Sequence, residues 1–109
     1  HVTAVGACTP NTRELDAEAV ARARVFVDSR ASAAAEAGDL LLAERDGAIG
    51  RGHVAGEIGE VFAGKITGRG NADQVTVFES LGLAVEDVAT ARLVLERARA
   101  AGVGLEVRW

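Results

Sequence analysis

At 109 residues, 49% of them hydrophobic and 26% charged, the chain has room for one small domain and the balance of an ordinary soluble protein. A formal net charge of −4 disfavours a nucleic-acid partner, and no apolar run approaches the roughly 20 residues of a bilayer-spanning helix. One cysteine and two histidines leave no internal disulfide and no zinc set. Residues 1–10 lack the basic start and apolar stretch of a secretory signal, so the expected location is cytoplasmic. The chain opens directly into Val2-Thr3-Ala4-Val5, which reads as a buried strand, and contains no methionine. His1 is therefore read as the edge of a fragment.

Gly6-Ala7 stops that first strand, and Thr9-Pro10-Asn11 forms a turn in which Pro10 sets its own φ. Asp16 is suited to cap a short helix over 17–23, with Glu18 in the first turn. Val25-Phe26-Val27 is apolar at consecutive positions, as in a strand covered on both faces of a parallel sheet. Asp28-Ser29 ends it, and Asp28 is assigned a structural role. Ser29 or Ser32 then starts an Ala-rich helix that closes near Gly38. Residues 40–42 fit a helix end or a strand equally well, and 43–52 read as a surface loop.

The spacing of Val54, Ile58, Val61 and Phe62 predicts a helix over 54–63, with His53 a surface residue at its start. Residues 64–70 form a glycine-rich loop without the Gly-Lys-Ser/Thr ending of a phosphate-binding loop. A third strand is predicted over 74–78. The last helix is predicted over 80–101, with an apolar stripe at Leu81, Val85, Val88, Leu95 and Ala98. Gly102 supplies its stop. Alternating strands and helices favour a parallel α/β sheet.

Pattern alone defines no enzyme: there is no Ser-His-Asp set, no metal spacing and no complete Gly-x-Gly-x-x-Gly fingerprint. Two segments stand out. In residues 4–15, "AVGACTPNTREL", a strand ends on small residues; close approach of a ligand to the backbone and a plain tight turn both account for it. In residues 73–87 a strand runs into the long helix with Ser80 at its start. A simple helix cap is the plainer reading, and a polar or anionic ligand at the free N–H groups is the other. Cys8 has no histidine placed to activate it as a nucleophile.

These segments, with "ARARVFVDSRASAAAEAGDL", "HVAGEIGEVFAGKITGR" and "DQVTVFESLGLAVEDVATARLVLERA", resemble the ornithine cyclodeaminase/mu-crystallin family in order and spacing. The resemblance covers essentially the whole chain and about the last third of a family member. It implies an α/β fold: part of a Rossmann-like parallel sheet with flanking helices and a long C-terminal helix. Residues 1–109 would then be the C-terminal part of an NAD(P)-binding domain. The glycine fingerprint, the substrate-binding Arg and Lys, and most of a dimerising substrate domain would lie upstream.

The resemblance further implies that the backbone at Val5, Gly6 and Ala7 lies by the nicotinamide half of NAD or NADP. Ser80 matches a cofactor contact and Leu81 a substrate-side contact. Thr12 stands where ornithine cyclodeaminase has a cofactor-contacting lysine, and Cys8 where it has a catalytic aspartate. A thiol, with a reference pKa of about 8.5, supplies no carboxylate charge at neutral pH, so ornithine cyclisation is disfavoured. The expected parent is a homodimeric NAD(P)-dependent imine reductase or an alanine- or opine-type dehydrogenase. The alternative is a non-catalytic, mu-crystallin-like binding protein. The isolated chain is expected to be inactive and marginally stable.

Overall fold

The computed structural model describes residues 1–107. Its elements in order are β1 (Val2–Ala4), α1 (Ala17–Arg22), β2 (Arg24–Val27), α2 (Arg30–Glu36), α3 (Gly38–Arg45), β3 (Val54–Glu57), α4 (Ile58–Phe62), β4 (Thr76–Glu79) and α5 (Ala84–Ala101). The strands form one sheet in the order β1-β4-β2-β3, and every pairing is parallel. In that register Ala4, Glu79, Val27 and Glu57 lie in a row across the carboxyl edge. The strand that arrives last therefore lies between the two that arrive first. The exits of β1 and β4 are neighbours although 75 positions separate Ala4 from Glu79.

The core fills one face of the sheet. Val25, Val27 and Val77 meet Val20 and Ala23 from α1 and its end, Ala33 from α2, and Ala37, Leu40 and Ala43 around α3. The alanines keep the helices close to the sheet, and the branched valines suit a pleated, covered surface. α1 begins as read, with the Asp16 carboxylate accepting the Ala19 N–H at 2.7 Å. Thr9 to Thr12 is a turn closed by Thr12 N–H on the Thr9 carbonyl at 3.2 Å, with Pro10 at its second position.

Several expectations are corrected. The first strand is an edge strand in which only Ala4 is buried; Val2 is 40% and Val5 61% exposed. Residues 40–42 belong to α3, which continues to Arg45 because Leu40, Leu42 and Ala43 all reach the core. The surface loop is accordingly shorter than 43–52. The Ala-rich helix does close near Gly38, at Glu36 with Ala37 as its cap, but Gly38 itself opens α3, and its N–H donates to the Ala7 carbonyl at 3.0 Å. A Cβ there would lie 2.4 Å from the Thr9 carbonyl oxygen and closer still to that of Thr12, so glycine serves the approach of two backbones.

The helix expected over 54–63 divides into β3 and the short α4. Gly56 pairs with β2, and Ile66 occupies the space its missing side chain leaves. The helical spacing was misleading because Phe62 is 84% exposed and anchors no buried face. His53 is half-buried at the start of β3, with Nε2 2.9 Å from the Val20 carbonyl oxygen. The strand expected over 74–78 runs from Thr76 to Glu79.

The long helix begins at Ala84, four residues later than expected, because Gly82 has φ +85°. It ends as predicted on Gly102, at φ +63°. Its apolar stripe is not buried within the described residues: Val85 and Val88 are each 68% exposed and Leu95 50%. No described helix is long and apolar enough to cross a membrane.

Gly38→Ala is expected to destabilise the full encoded protein by about 1–3 kcal/mol through overpacking against fixed carbonyls. Gly59→Ala in α4, where an added Cβ meets nothing within 4 Å, should be neutral or stabilising by up to about 1 kcal/mol. Denaturant midpoints of the two variants check this; equal shifts would contradict the close-approach reading.

Candidate functional site

Ligands of open parallel α/β sheets sit beyond the carboxyl ends of the strands. At that edge three exits converge: 5–8 after β1, 28–29 after β2, and 80–82 after β4. The Ser80 N–H donates to the Ala4 carbonyl at 2.9 Å, so the first and last exits are joined directly. Val5, Gly6, Ala7, Ser80 and Leu81 are thereby brought to adjoining exits. Ala7 is buried, while Gly6 and Cys8 are exposed and Ser80 and Leu81 half-buried.

Each exit is held by a carboxylate. Asp28, 6% exposed, accepts the Leu81 and Gly82 N–H groups, each at 2.7 Å, and lies 3.5 Å from the Ser80 hydroxyl. Its other oxygen accepts the Ser29 N–H at 2.7 Å. Asp28 is structural, as read, and its structural work is to fix Ser80 and Leu81. This capture, with the positive φ of Gly82, keeps 80–82 out of the helix. Ser80 is thus a strand-exit residue, not a helix cap as expected.

At the other exit the Glu14 carboxylate accepts the N–H groups of Val5, at 3.0 Å, and of Gly6. A Cβ on Gly6 would lie 2.4 Å from Glu14 Oε1, so only glycine admits the carboxylate. Asp39 in the first turn of α3 accepts the N–H groups of Glu14 and Leu15 at 2.7 and 3.0 Å. Neither Glu14 nor Asp39 was singled out from the sequence. The available signal was an acidic residue a fixed distance after a small-residue strand exit, which is weak without a fold.

Cys8 is exposed, with its thiol 3.4 Å from the Val5 carbonyl oxygen. Neither histidine serves it. His1 bonds the Thr76 hydroxyl at 2.7 Å and His53 the Val20 carbonyl, both at the amino-terminal edge of the sheet. Thr12 is exposed in its turn, with its hydroxyl 2.9 Å from that of Thr9. It brings no cation. No group of acidic, histidine or cysteine side chains among the described residues could hold a metal ion. The pocket beside α2, α3 and the β3 approach, between Arg30, Leu40, Ile49 and His53, involves none of the candidate residues.

An all-parallel sheet with flanking helices and carboxylate-braced exits defines a Rossmann-like α/β architecture. The family model of the ornithine cyclodeaminase/mu-crystallin family matches residues 1–102, and the chain belongs to that family. It is similar to the solved structure of Thermococcus litoralis Delta(1)-pyrroline-2-carboxylate reductase in complex with NADH and L-proline. The two share 40% identity and a TM-score of 0.84 over 98% of this chain and 33% of that one. An archaeal alanine dehydrogenase dimer with bound NAD is 38% identical with a TM-score of 0.78, over all of this chain and 34% of that one. Ketimine reductase mu-crystallin from Mus musculus is 43% identical over 88% of this chain and 28% of that protein. The chain thus spans about a third of the length of these relatives.

Asp28→Ala removes the acceptor for three backbone N–H groups, those of Ser29, Leu81 and Gly82, and is expected to destabilise the protein by about 2–4 kcal/mol. Asp28→Asn, which keeps one acceptor oxygen, should cost about half as much. Hydrogen exchange at the Leu81 and Gly82 amides should accelerate in both; unchanged exchange would show that Asp28 does not hold this exit.

Proposed function

We propose that this chain is the nicotinamide-side part of an NAD(P)-dependent oxidoreductase that acts on amino acids or cyclic imines within a longer protein. The observation that carries the reading is the junction of the β1 and β4 exits, which sets Val5 and Gly6, both exposed, and the buried Ala7 beside Ser80 and Leu81. Similarity to proteins named as pyrroline-carboxylate reductase, alanine dehydrogenase and ketimine reductase supports it.

Glu14 takes up the N–H groups of Val5 and Gly6, and the missing Cβ of Gly6 is what lets its carboxylate approach. In this reading the backbone of Val5, Gly6 and Ala7 and the Ser80 hydroxyl hold the cofactor, which supplies or accepts hydride when bound. Cys8 and Leu81 border the substrate. Asp28 and Glu14 fix the two halves of the surface relative to each other, an alignment that hydride transfer requires to within a fraction of an ångström.

Cys8 offers no carboxylate to a substrate amine, so reduction of an imine, or the reverse oxidation, is favoured over ornithine cyclisation. The glycine fingerprint and cationic substrate ligands are assigned to the upstream portion. The full protein is proposed to be a homodimer, in line with the similar archaeal alanine dehydrogenase, a dimer, and the 109 residues alone to be inactive.

The test is consumption of NADH or NADPH by the full encoded protein with cyclic imino acids, and with 2-oxo acids plus ammonia. Turnover supports the reading; cofactor binding without turnover on any of them would favour the mu-crystallin-like alternative. Gly6→Val, which forces Glu14 away, is expected to weaken cofactor binding by roughly tenfold or more, about 1.4 kcal/mol. An unchanged KM for cofactor in that variant would remove this edge from the site.

A further inference from the structure

Glu79 is the last residue of β4 and lies on the core face with Val77, two positions earlier. It is 1% exposed, and neither carboxylate oxygen meets a hydrogen-bond donor. Asp39, also 1% exposed, uses Oδ1 for the N–H groups of Glu14 and Leu15, while its Oδ2 has no donor. The charged groups that act on Glu79 are Asp39 from α3, Glu14 from the segment after β1 and Asp28 from the end of β2, all acidic. Burial first, and then these three carboxylates, push the Glu79 carboxyl from 4.5 up to about 8.

Two carboxylates cannot hydrogen-bond each other, but a carboxylic acid donates to a carboxylate, and buried polar atoms are rarely left unpaired. One proton on Glu79 gives Asp39 Oδ2 its donor and removes a charge from a water-poor interior.

We infer that a proton shared between Glu79 and Asp39 is a structural part of this site, and that Glu79 is a positioning residue for the cofactor-side loop. The Glu79 hydroxyl holds Asp39, and Asp39 holds the backbone of Glu14 and Leu15. The Glu14 carboxylate holds the backbone of Val5 and Gly6. Loss of the proton sets two buried charges against each other and loosens the loop on which the nicotinamide would rest. The cofactor limb of this inference rests on the function proposed above; the proton limb does not.

Stability follows the same proton. Below 4.5 the folded and unfolded chains both hold it, and between 4.5 and about 8 only the folded chain does. Stability from this group is therefore present at low pH and is lost as pH rises through about 8.

The experiment compares the full encoded protein with its Glu79→Gln variant, whose amide donates to Asp39 and cannot ionise. The wild-type KM for cofactor is expected to rise above pH about 8 by up to roughly tenfold per pH unit, with kcat at saturating cofactor little changed. Glu79→Gln should flatten that rise and the loss of stability with pH. In parallel, the side-chain carboxyl carbon of Glu79 is followed by ¹³C NMR in the wild type, assigned through its own backbone, so that the reading survives if the variant fails to fold. A titration near 8 supports the shared proton; titration in the ordinary carboxylate range overturns it. The same rise in KM in both proteins overturns the positioning role. If no cofactor binds at any pH, the proposed function fails, and the NMR titration alone upholds or overturns the proton.

Discussion

A parallel sheet delivers its strands to the carboxyl edge with their next backbone N–H groups unpaired, and here acidic side chains take those groups up. Glu14 serves the exit of β1, Asp28 that of β4, and Asp39 ties the returning loop of β1 to α3. Each of these bonds ties the chain beyond a strand to a placed carboxylate and so helps to set its path. The arrangement concentrates negative charge in the interior around Glu79.

The same interactions explain where elements stop. β4 runs into neither a helix nor a tight hairpin, because Asp28 captures Leu81 and Gly82 before helical bonds form and glycine accepts a φ of +85°. α2 and α3 are separated only by Ala37 because Gly38 must slide beneath the carbonyls of Thr9 and Thr12. Both helices therefore depend on a loop about 25 positions earlier, a long-range constraint that local propensity does not contain.

The fold class, β2, α1 and the glycine end of α5 were legible because each has a local cause: a run of branched apolar residues, an N-cap carboxylate, a left-handed glycine. Less legible was β3, since Val54, Ile58 and Val61 mimic a helical face while Gly56 pairs in a sheet. The start of α5 was misplaced because its determinant, Asp28, lies over 50 positions away. For the candidate site, the family resemblance pointed to Val5, Gly6, Ala7, Ser80 and Leu81, and the fold draws them to adjoining exits. It gave no hint of Glu14, Asp39 or Glu79, which act through backbone N–H groups and burial and not through a motif. Thr12 and Cys8, read as standing where ornithine cyclodeaminase has a lysine and an aspartate, are exposed, and neither supplies that charge.

In the proposed site the backbone after β1 and the hydroxyl after β4 together receive a nicotinamide ring. A crystal structure of the full encoded protein with bound NADH or NADPH is the measurement to make. The ring is expected on the backbone of Val5, Gly6 and Ala7, with Ser80 in hydrogen-bonding range and the Glu14 and Asp28 contacts intact. A cofactor seated away from this edge, or exits whose carboxylates have released their N–H groups, would contradict it.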